Sequence, residues 1–144
     1  MKIVPLTPSL VKEVAAIEAM CFSEPWSEQA YLEACEKEDY AYIVAVSDEG
    51  KALGMCGLII GPYEAEVMNV AVHPEYRGQK ISNRLMEALL DLGQTKGVSE
   101  YTLEVRAGNK AAIHLYEKFG FVGEGIRPNF YNKPTEDALI MWRR

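Results

Sequence analysis

The chain has 144 residues, of which 49% are hydrophobic and 25% are charged, a composition typical of one globular domain and not of a disordered protein. Its net charge of −6 argues against sequence-independent binding to nucleic acid, because that binding requires lysine and arginine to neutralise phosphates. The apolar runs are far shorter than the roughly 20 residues of a membrane span, and the N-terminus lacks the apolar core of a signal peptide. We therefore expect a single domain, residues 1–144, in the cytoplasm, with neither nucleic acid nor a membrane as partner.

The first half of the chain predicts four strands and two helices. Thr7 or Ser9 can cap a first helix, in which apolar residues recur at helical spacing as far as Ile17. Pro25 breaks this pattern, and Ser27 can cap a second, shorter helix. The predicted strands cover residues 3–6, 40–46, 51–60 and 65–72, and the last three are typical of an antiparallel meander.

The second half predicts two more helices and three more strands, which makes the domain mixed α/β. Asn109 can cap the second of these helices, and Gly120 suits its end, where a left-handed residue is favoured. The strands are predicted at residues 100–105, 121–126 and 137–142, and the segment RPNFYNKPT between the last two is predicted as a loop. The earlier of these two helices is long and ends near Gly97. It is indicated by an apolar stripe at helical spacing: Ile81, Leu85, Ala88, Leu89 and Leu92.

The cysteines and histidines indicate neither a disulfide framework nor a metal site. Cys21, Cys35 and Cys56 are odd in number, form no CxxC pair and have no histidine nearby. His73 and His114 lack the spacing of metal ligands. We therefore interpret the three cysteines as buried structural thiols and predict no metal.

The segment HPEYRGQKISNRL, residues 73–85, predicts a turn between a strand and the long helix. Free backbone N–H groups and the positive end of the helix dipole would meet there and attract an anion, with Arg77 and Lys80 adding charge. Neither G-x-x-x-x-G-K-[ST] nor G-x-G-x-x-G occurs, so a nucleoside triphosphatase or a dinucleotide fold is not indicated. From the local sequence alone, a solvated helix start explains the segment equally well.

Strand alternation places Glu104 on the same face as Thr102 and Arg106, in the middle of a strand predicted to be central. The residues alone favour a salt bridge from Glu104 to Arg106 or a solvated face. Helical spacing alone would make Tyr116 a core aromatic.

Four separated motifs carry a resemblance over nearly the whole chain. VMNVAVHPEYRGQKISNRLMEALL resembles the acetyl-CoA-binding signature R/Q-x-x-G-x-G/A of the GCN5-related N-acetyltransferase (GNAT) superfamily, with Arg77 in its first position. CFSEPWS, TLEVRAGNKAAIHLYEKFGF and IRPNFYNKPTEDALIM are similar to the bacterial ribosomal-protein alanine N-acetyltransferases. The resemblance implies the GNAT fold, with a central mixed, mostly antiparallel sheet of about seven strands, about four helices, and acetyl-CoA as co-substrate.

The resemblance also implies which residues bind acetyl-CoA. Lys80 and Ser82 depart from the family pattern because they occupy its two small-residue positions. If either position needs a positive φ, its side chain costs on the order of 1 kcal/mol, whereas helical backbone costs nothing and leaves Lys80 as an extra cation. The implied cofactor-binding residues are Val70, Ala71 and Val72 at the strand edge, Arg77, Gly78, Gln79, Lys80, Ile81, Ser82 and Asn83 at the pyrophosphate, and Asn109.

By the same resemblance, Glu104 is the general base that takes a proton from the attacking amine, and Tyr116 is the general acid that protonates the departing thiolate. Attack is expected to be direct, in a ternary complex, since no cysteine has the setting of a nucleophile. Trp26 and Tyr131 are expected to line the acceptor cleft, although each could instead anchor its loop on the core.

The implied acceptor is the N-terminal alanine of a protein, namely small-subunit ribosomal protein eighteen. Near neutral pH an α-amino group with a pKa of about 7.7–8.0 is neutral in roughly a quarter of molecules, against about one in a thousand for lysine. Acidic residues near the cleft, Glu24, Glu28 and Glu33, would favour a basic peptide segment. Two alternatives stay open: acetylation of a small amine or amino acid, and a non-catalytic acyl-CoA-binding module.

Overall fold

The computed structural model describes all residues, 1–144, as one sheet with helices on both faces. The strands are β1 (Lys2–Pro5), β2 (Tyr40–Val46), β3 (Ala52–Ile60), β4 (Ala65–Val72), β5 (Tyr101–Arg106), β6 (Val122–Tyr131) and β7 (Glu136–Arg143). The helices are α1 (Val11–Cys21), α2 (Glu28–Glu36), α3 (Ile81–Thr95) and α4 (Lys110–Lys118). Seven strands and four helices confirm the predicted mixed α/β class.

The sheet has the order β1-β2-β3-β4-β5-β7-β6, and only β4 and β5 run parallel. Two hydrophobic clusters cover its faces. One contains residues of α1 and α2, such as Val14 and Tyr31, and the other contains residues of α3 and α4, such as Leu85 and Tyr116. The domain is therefore a three-layer sandwich with the sheet in the middle.

Helix ends follow the sequence signals at Ser27, Asn109 and Gly120. The N–H of Ala30 donates to Ser27 Oγ at 3.1 Å, and the N–H of Ala112 donates to Asn109 Oδ1 at 3.2 Å. Gly120 adopts φ +88° after α4. The predicted cap at Thr7 or Ser9 is wrong, because a short 3₁₀ turn at Pro8–Leu10 precedes α1, and the two hydroxyls lie 3.0 Å from each other instead of accepting backbone N–H groups.

The predicted loop RPNFYNKPT is largely strand, which corrects the sequence prediction. β6 continues to Tyr131, and only residues 132–135 separate it from β7. Pro128 is tolerated because β6 is an edge strand and its register with β7 shifts between Arg127 and Tyr131, where Asn129 has φ +54°. The polar sequence reflects the exposure of this edge strand and not a loop.

The interpretation of three buried thiols holds only for Cys56. Cys21 and Cys35 are partly exposed.

None of the four helices combines the length and the apolarity needed to cross a membrane.

Two irregularities of β4 shape the centre of the fold. β4 pairs with β5 only at Ala65 and Glu66, after which the two strands diverge. On its other side, β4 contains a bulge, because Met68 pairs with Gly57 and Ala71 with Met55, leaving two β4 residues opposite one β3 residue. The diverging strands open a cleft in an otherwise closed sheet.

Candidate active site

Two adjoining cavities occupy the cleft between β4 and β5. The first, here the helix-side cavity, has a volume of about 480 Å³ and lies against the N-terminus of α3. The second, the loop-side cavity, has a volume of about 640 Å³ and lies against the segments around Trp26 and Tyr131. Six residues line both cavities and mark their junction: Cys21, Phe22, Val70, Asn109, Ala112 and Tyr116.

The turn before α3 presents six consecutive backbone N–H groups without a protein acceptor. None of residues 78–83 donates a backbone hydrogen bond, and the first bond of the helix runs from the N–H of Arg84 to the carbonyl of Lys80 at 3.2 Å. Gly78 and Lys80 both have positive φ, +83° and +61°, which turns successive N–H groups toward one place. With the helix dipole, this turn fits a phosphate or diphosphate group.

Lys80 and Ser82 differ in what their backbones require. The backbone of Lys80 lies in the left-handed region, whereas Ser82 has the helical backbone of the first turn of α3. The cost on the order of 1 kcal/mol that we expect for a side chain at positive φ therefore applies at Lys80, whereas the helical backbone of Ser82 carries no such cost.

Lys80→Gly is expected to raise the free energy of unfolding by about 1 kcal/mol, because glycine adopts positive φ without the clash of a Cβ atom. Chemical denaturation measures the change. Ser82→Gly is the matched control and should lower stability by about 0.5 kcal/mol, since its position is helical. If both glycines destabilise the protein alike, the left-handed conformation of Lys80 is wrong.

The edge of β4 exposes backbone polar groups to the cleft. The N–H of His73 donates to the carbonyl of Leu53 at 2.8 Å, so the alternation of an extended strand directs the polar groups of Val72 and Val70 away from β3. The thiol of Cys21 donates to the carbonyl of Val72 at 3.5 Å from the same side. This edge can pair with an extended ligand.

Glu104 lies on a central strand, as predicted, and faces the loop-side cavity. Its Oε2 atom lies 2.8 Å from Nε of Arg127, yet this buried oxygen accepts no well-directed hydrogen bond. The suggested salt bridge from Glu104 to Arg106 is wrong, because Arg106 pairs with Glu136 at 3.2 Å. A carboxylate whose ionic partner, Arg127, is exposed therefore lines the cleft.

A second carboxylate, Glu66, was not identified from the sequence. Glu66 pairs with Thr102 across the parallel strands, so it shares a face with Glu104 and lines the same cavity. Burial raises the pKa of Glu66 above its ordinary value, and the negative charge of Glu104 adds to this. Strand alternation in β4 was the available signal, but it does not show that Glu66 faces a cleft.

Tyr116 is both a core residue and a cavity residue. It is 8% exposed and packs on Phe121, with ring centroids 5.9 Å apart, and it lines both cavities. Burial raises the pKa of Tyr116 well above 10, so the phenol stays protonated at physiological pH.

Trp26 and Tyr131 both anchor their segments and line the loop-side cavity. Trp26 packs on Tyr31 and Tyr42, with centroid distances of 5.2 and 5.8 Å. Tyr131 lies under the guanidinium of Arg106 at 4.6 Å, and burial raises the pKa of Tyr131 to about 12. Each of these aromatics can therefore anchor its segment and line the cleft at the same time.

Of the predicted cofactor-binding residues, most line the helix-side cavity. They are Val70, Ala71, Val72, Arg77, Gly78, Lys80, Ile81, Ser82 and Asn109. The side chains of Gln79 and Asn83 do not line it, although their N–H groups belong to the open turn. Of the acidic residues expected near the acceptor, Glu24 lines the loop-side cavity, whereas Glu28 and Glu33 lie exposed on α2 and do not.

Residues 11–121 match the Acetyltransferase (GNAT) family. The chain belongs to this family. This GNAT protein is 37% identical over 129 residues to the ribosomal protein bS18-alanine N-acetyltransferase of Escherichia coli, a match covering 87% of this chain and 84% of that one. It is 35% identical over 144 residues to N-alpha-acetyltransferase RimI of Mycobacterium tuberculosis, covering 96% and 89% of the two chains.

The crystal structure of the Escherichia coli ribosomal-protein-S18-alanine N-acetyltransferase has the same fold as this GNAT protein. The TM-score is 0.89 at 34% sequence identity, and the match covers 99% of this chain and 92% of that chain. The family and the fold expected from the sequence motifs are confirmed. The protein is an acyltransferase whose co-substrate is acetyl-CoA, and the open turn of residues 78–83 fits the pyrophosphate of that molecule.

Proposed function

We propose that this enzyme transfers the acetyl group of acetyl-CoA to the α-amino group of an N-terminal alanine, and that its protein acceptor is ribosomal protein bS18. The observation that carries the proposal is the meeting of two cavities at Tyr116 and Val70, with the carboxylate of Glu104, paired with the exposed side chain of Arg127, lining the loop-side cavity. The names of the relatives from Escherichia coli and Mycobacterium tuberculosis support the same acceptor chemistry.

Acetyl-CoA would occupy the helix-side cavity. The six free N–H groups of residues 78–83 bind the pyrophosphate, and Arg77 and Lys80 add charge-assisted contacts. The backbone of residues 70–72 pairs with the extended pantetheine arm, and Asn109 contacts it from the start of α4. This arrangement directs the thioester to the junction of the cavities.

The acceptor amine would enter from the loop-side cavity and attack the thioester carbonyl carbon directly. Glu104 takes the proton of the attacking amine, so the amine nitrogen forms the new C–N bond without retaining a positive charge. The C–S bond then breaks, and Tyr116 gives its proton to the departing thiolate. The products are an acetamide and free coenzyme A.

Arg127 pairs with Glu104 in the structure and must release it for this step. The side chain of Arg127 is 59% exposed, and that of Glu104 is 20% exposed. The guanidinium can therefore move into solvent when a positively charged α-ammonium group takes its place beside the carboxylate.

The charge of the loop-side cavity supports a basic N-terminal segment as acceptor. Four carboxylates line it, from Glu18, Glu24, Glu66 and Glu104, against two cations, from Arg106 and Lys133. Trp26 and Tyr131 provide apolar surface for the first residues of a peptide.

The test is a screen of N-terminal peptides for acetyl transfer, read by release of coenzyme A. An alanine-initiated basic peptide should be acetylated, and the same peptide with a blocked terminus should not. Equal turnover of the two peptides would overturn the N-terminal assignment. Faster turnover of spermidine than of the free peptide would instead favour a small-amine acetyltransferase.

A further inference from the structure

Glu18 is the one charged side chain in the buried core, and beyond its charge at the edge of the loop-side cavity it takes part in no step of the proposed reaction. It lies on α1 and is 2% exposed. An ionised carboxylate in such a position is stable only when its oxygens accept hydrogen bonds. The contacts of Glu18 therefore show what the residue holds in place.

The carboxylate of Glu18 accepts hydrogen bonds from three other parts of the chain. Tyr31 on α2 donates its hydroxyl at 2.6 Å, and the backbone N–H of Trp26 donates at 3.1 Å. Asn69 on β4 donates its side-chain amide to both oxygens, at 3.1 and 3.2 Å. Glu18 thus joins the acceptor segment around Trp26 to the strand that borders the acetyl-CoA cavity.

Asn69 is the residue that forms the bulge in β4. It has φ +54°, and Asn69 with Val70 stands opposite the single residue Cys56. Its Oδ1 atom accepts a hydrogen bond from the hydroxyl of Tyr42 at 2.7 Å, so both ends of its amide are held. The side chain is fixed in the one orientation that satisfies Glu18 and Tyr42 together.

The bulge decides which backbone groups of β4 face the cleft. One extra residue shifts the alternation of the strand by one, so Val70 and Val72 direct their polar groups toward the cavity. Without the bulge, Val70 would pair with Met55 of β3, and Ala71 would face the cleft instead. The conformation of Asn69 therefore sets the edge available to acetyl-CoA.

We propose that Glu18 is a positioning residue that holds the Asn69 bulge, and through it the edge of β4 at Val70 and Val72, in register for the thioester. Because the same carboxylate binds the N–H of Trp26, it also fixes the acceptor segment relative to that edge. The inference rests on the proposed function for its effect on kcat, but not for its effect on the Kd for acetyl-CoA.

The test exchanges donor and acceptor between Glu18 and Asn69. In Glu18→Gln, an amide replaces a carboxylate oxygen and faces the donors of Asn69 or Trp26, so kcat should fall about 10-fold or more and the Kd for acetyl-CoA should rise several-fold. In Asn69→Asp, two carboxylates face each other, and the losses should be at least as large. The double variant restores a donor–acceptor pair and should recover most of both losses.

Tyr31→Phe is the matched control, since it removes a hydrogen bond from the same carboxylate without touching the bulge. It should lower the melting temperature but leave kcat and the Kd for acetyl-CoA within about twofold of wild type. Loss of kcat in proportion to lost stability across all variants, or no recovery in the double variant, would overturn the inference.

Two further readouts separate this inference from the proposed function. Calorimetric titration with acetyl-CoA needs no acceptor, so it tests Glu18 even if the wild type acetylates no peptide. Should the single variants not fold, hydrogen exchange at the N–H of Ala71, which faces Met55 of β3 only while the bulge is present, decides in the double variant: wild-type protection supports the inference, and fast exchange contradicts it.

Discussion

Glu104→Gln is expected to lower kcat at neutral pH by about 10²–10⁴-fold, with the affinity for acetyl-CoA unchanged. The amide has nearly the shape of the carboxylate but cannot take the proton of the attacking amine. Glu104 lines the loop-side cavity and not the helix-side cavity, so acetyl-CoA loses no contact. Steady-state kinetics with an alanine-initiated peptide and calorimetric titration with acetyl-CoA measure the two effects separately.

The loss of kcat in Glu104→Gln should become smaller as the pH rises. As the pH rises past the α-amine pKa of about 7.7–8.0, more of the peptide is neutral without help, so the gap to wild type should narrow. Glu100→Gln is the control, because Glu100 lies just before β5, outside both cavities. Wild-type turnover in Glu104→Gln would remove Glu104 from the mechanism.

Tyr116→Phe is expected to lower kcat by about 10²-fold while leaving the fold intact. Phenylalanine keeps the packing of the ring on Phe121, so the substitution costs the core little, but the departing thiolate loses its proton donor. Because burial raises the pKa of Tyr116, the wild-type rate should show no fall from loss of this proton below about pH 10.

Tyr101→Phe is the comparison for this variant, since Tyr101 is a buried tyrosine outside both cavities. It should keep its kcat and lose only the stability of its hydrogen bond to the carbonyl of Leu90. Equal kinetic losses in the two phenylalanine variants would show that Tyr116 acts only through packing.

The elements with strong local signals were predictable from the sequence. The apolar stripe of α3 and the caps at Ser27 and Asn109 each depend on residues close in the chain, and all are confirmed. β6 was not predictable beyond residue 126, because it is an exposed edge strand whose polar residues and Pro128 have the composition of a loop.

The motifs predicted that residues 70–72, 77–83, 104 and 116 belong to one site, and the structure brings them to the two adjoining cavities and the open turn, while their roles stay predictions. Glu18 could not be recognised, since a glutamate one turn after Val14 is ordinary on a helix until its partners on β4 and α2 are known. The positive φ of Lys80 and of Asn69 depends on tertiary contacts and on the ligand-binding turn, and residue preference disfavours it at a lysine.

Direct acetylation of a protein α-amine can be tested by mass-spectrometric sequencing of one product. The substrate is a basic peptide that begins with alanine and contains an internal lysine, incubated with the enzyme and acetyl-CoA. We predict a single acetyl group on the N-terminal alanine. An acetyl group on the lysine side chain, or an unmodified peptide beside released coenzyme A, would show that the enzyme does not acetylate the α-amine.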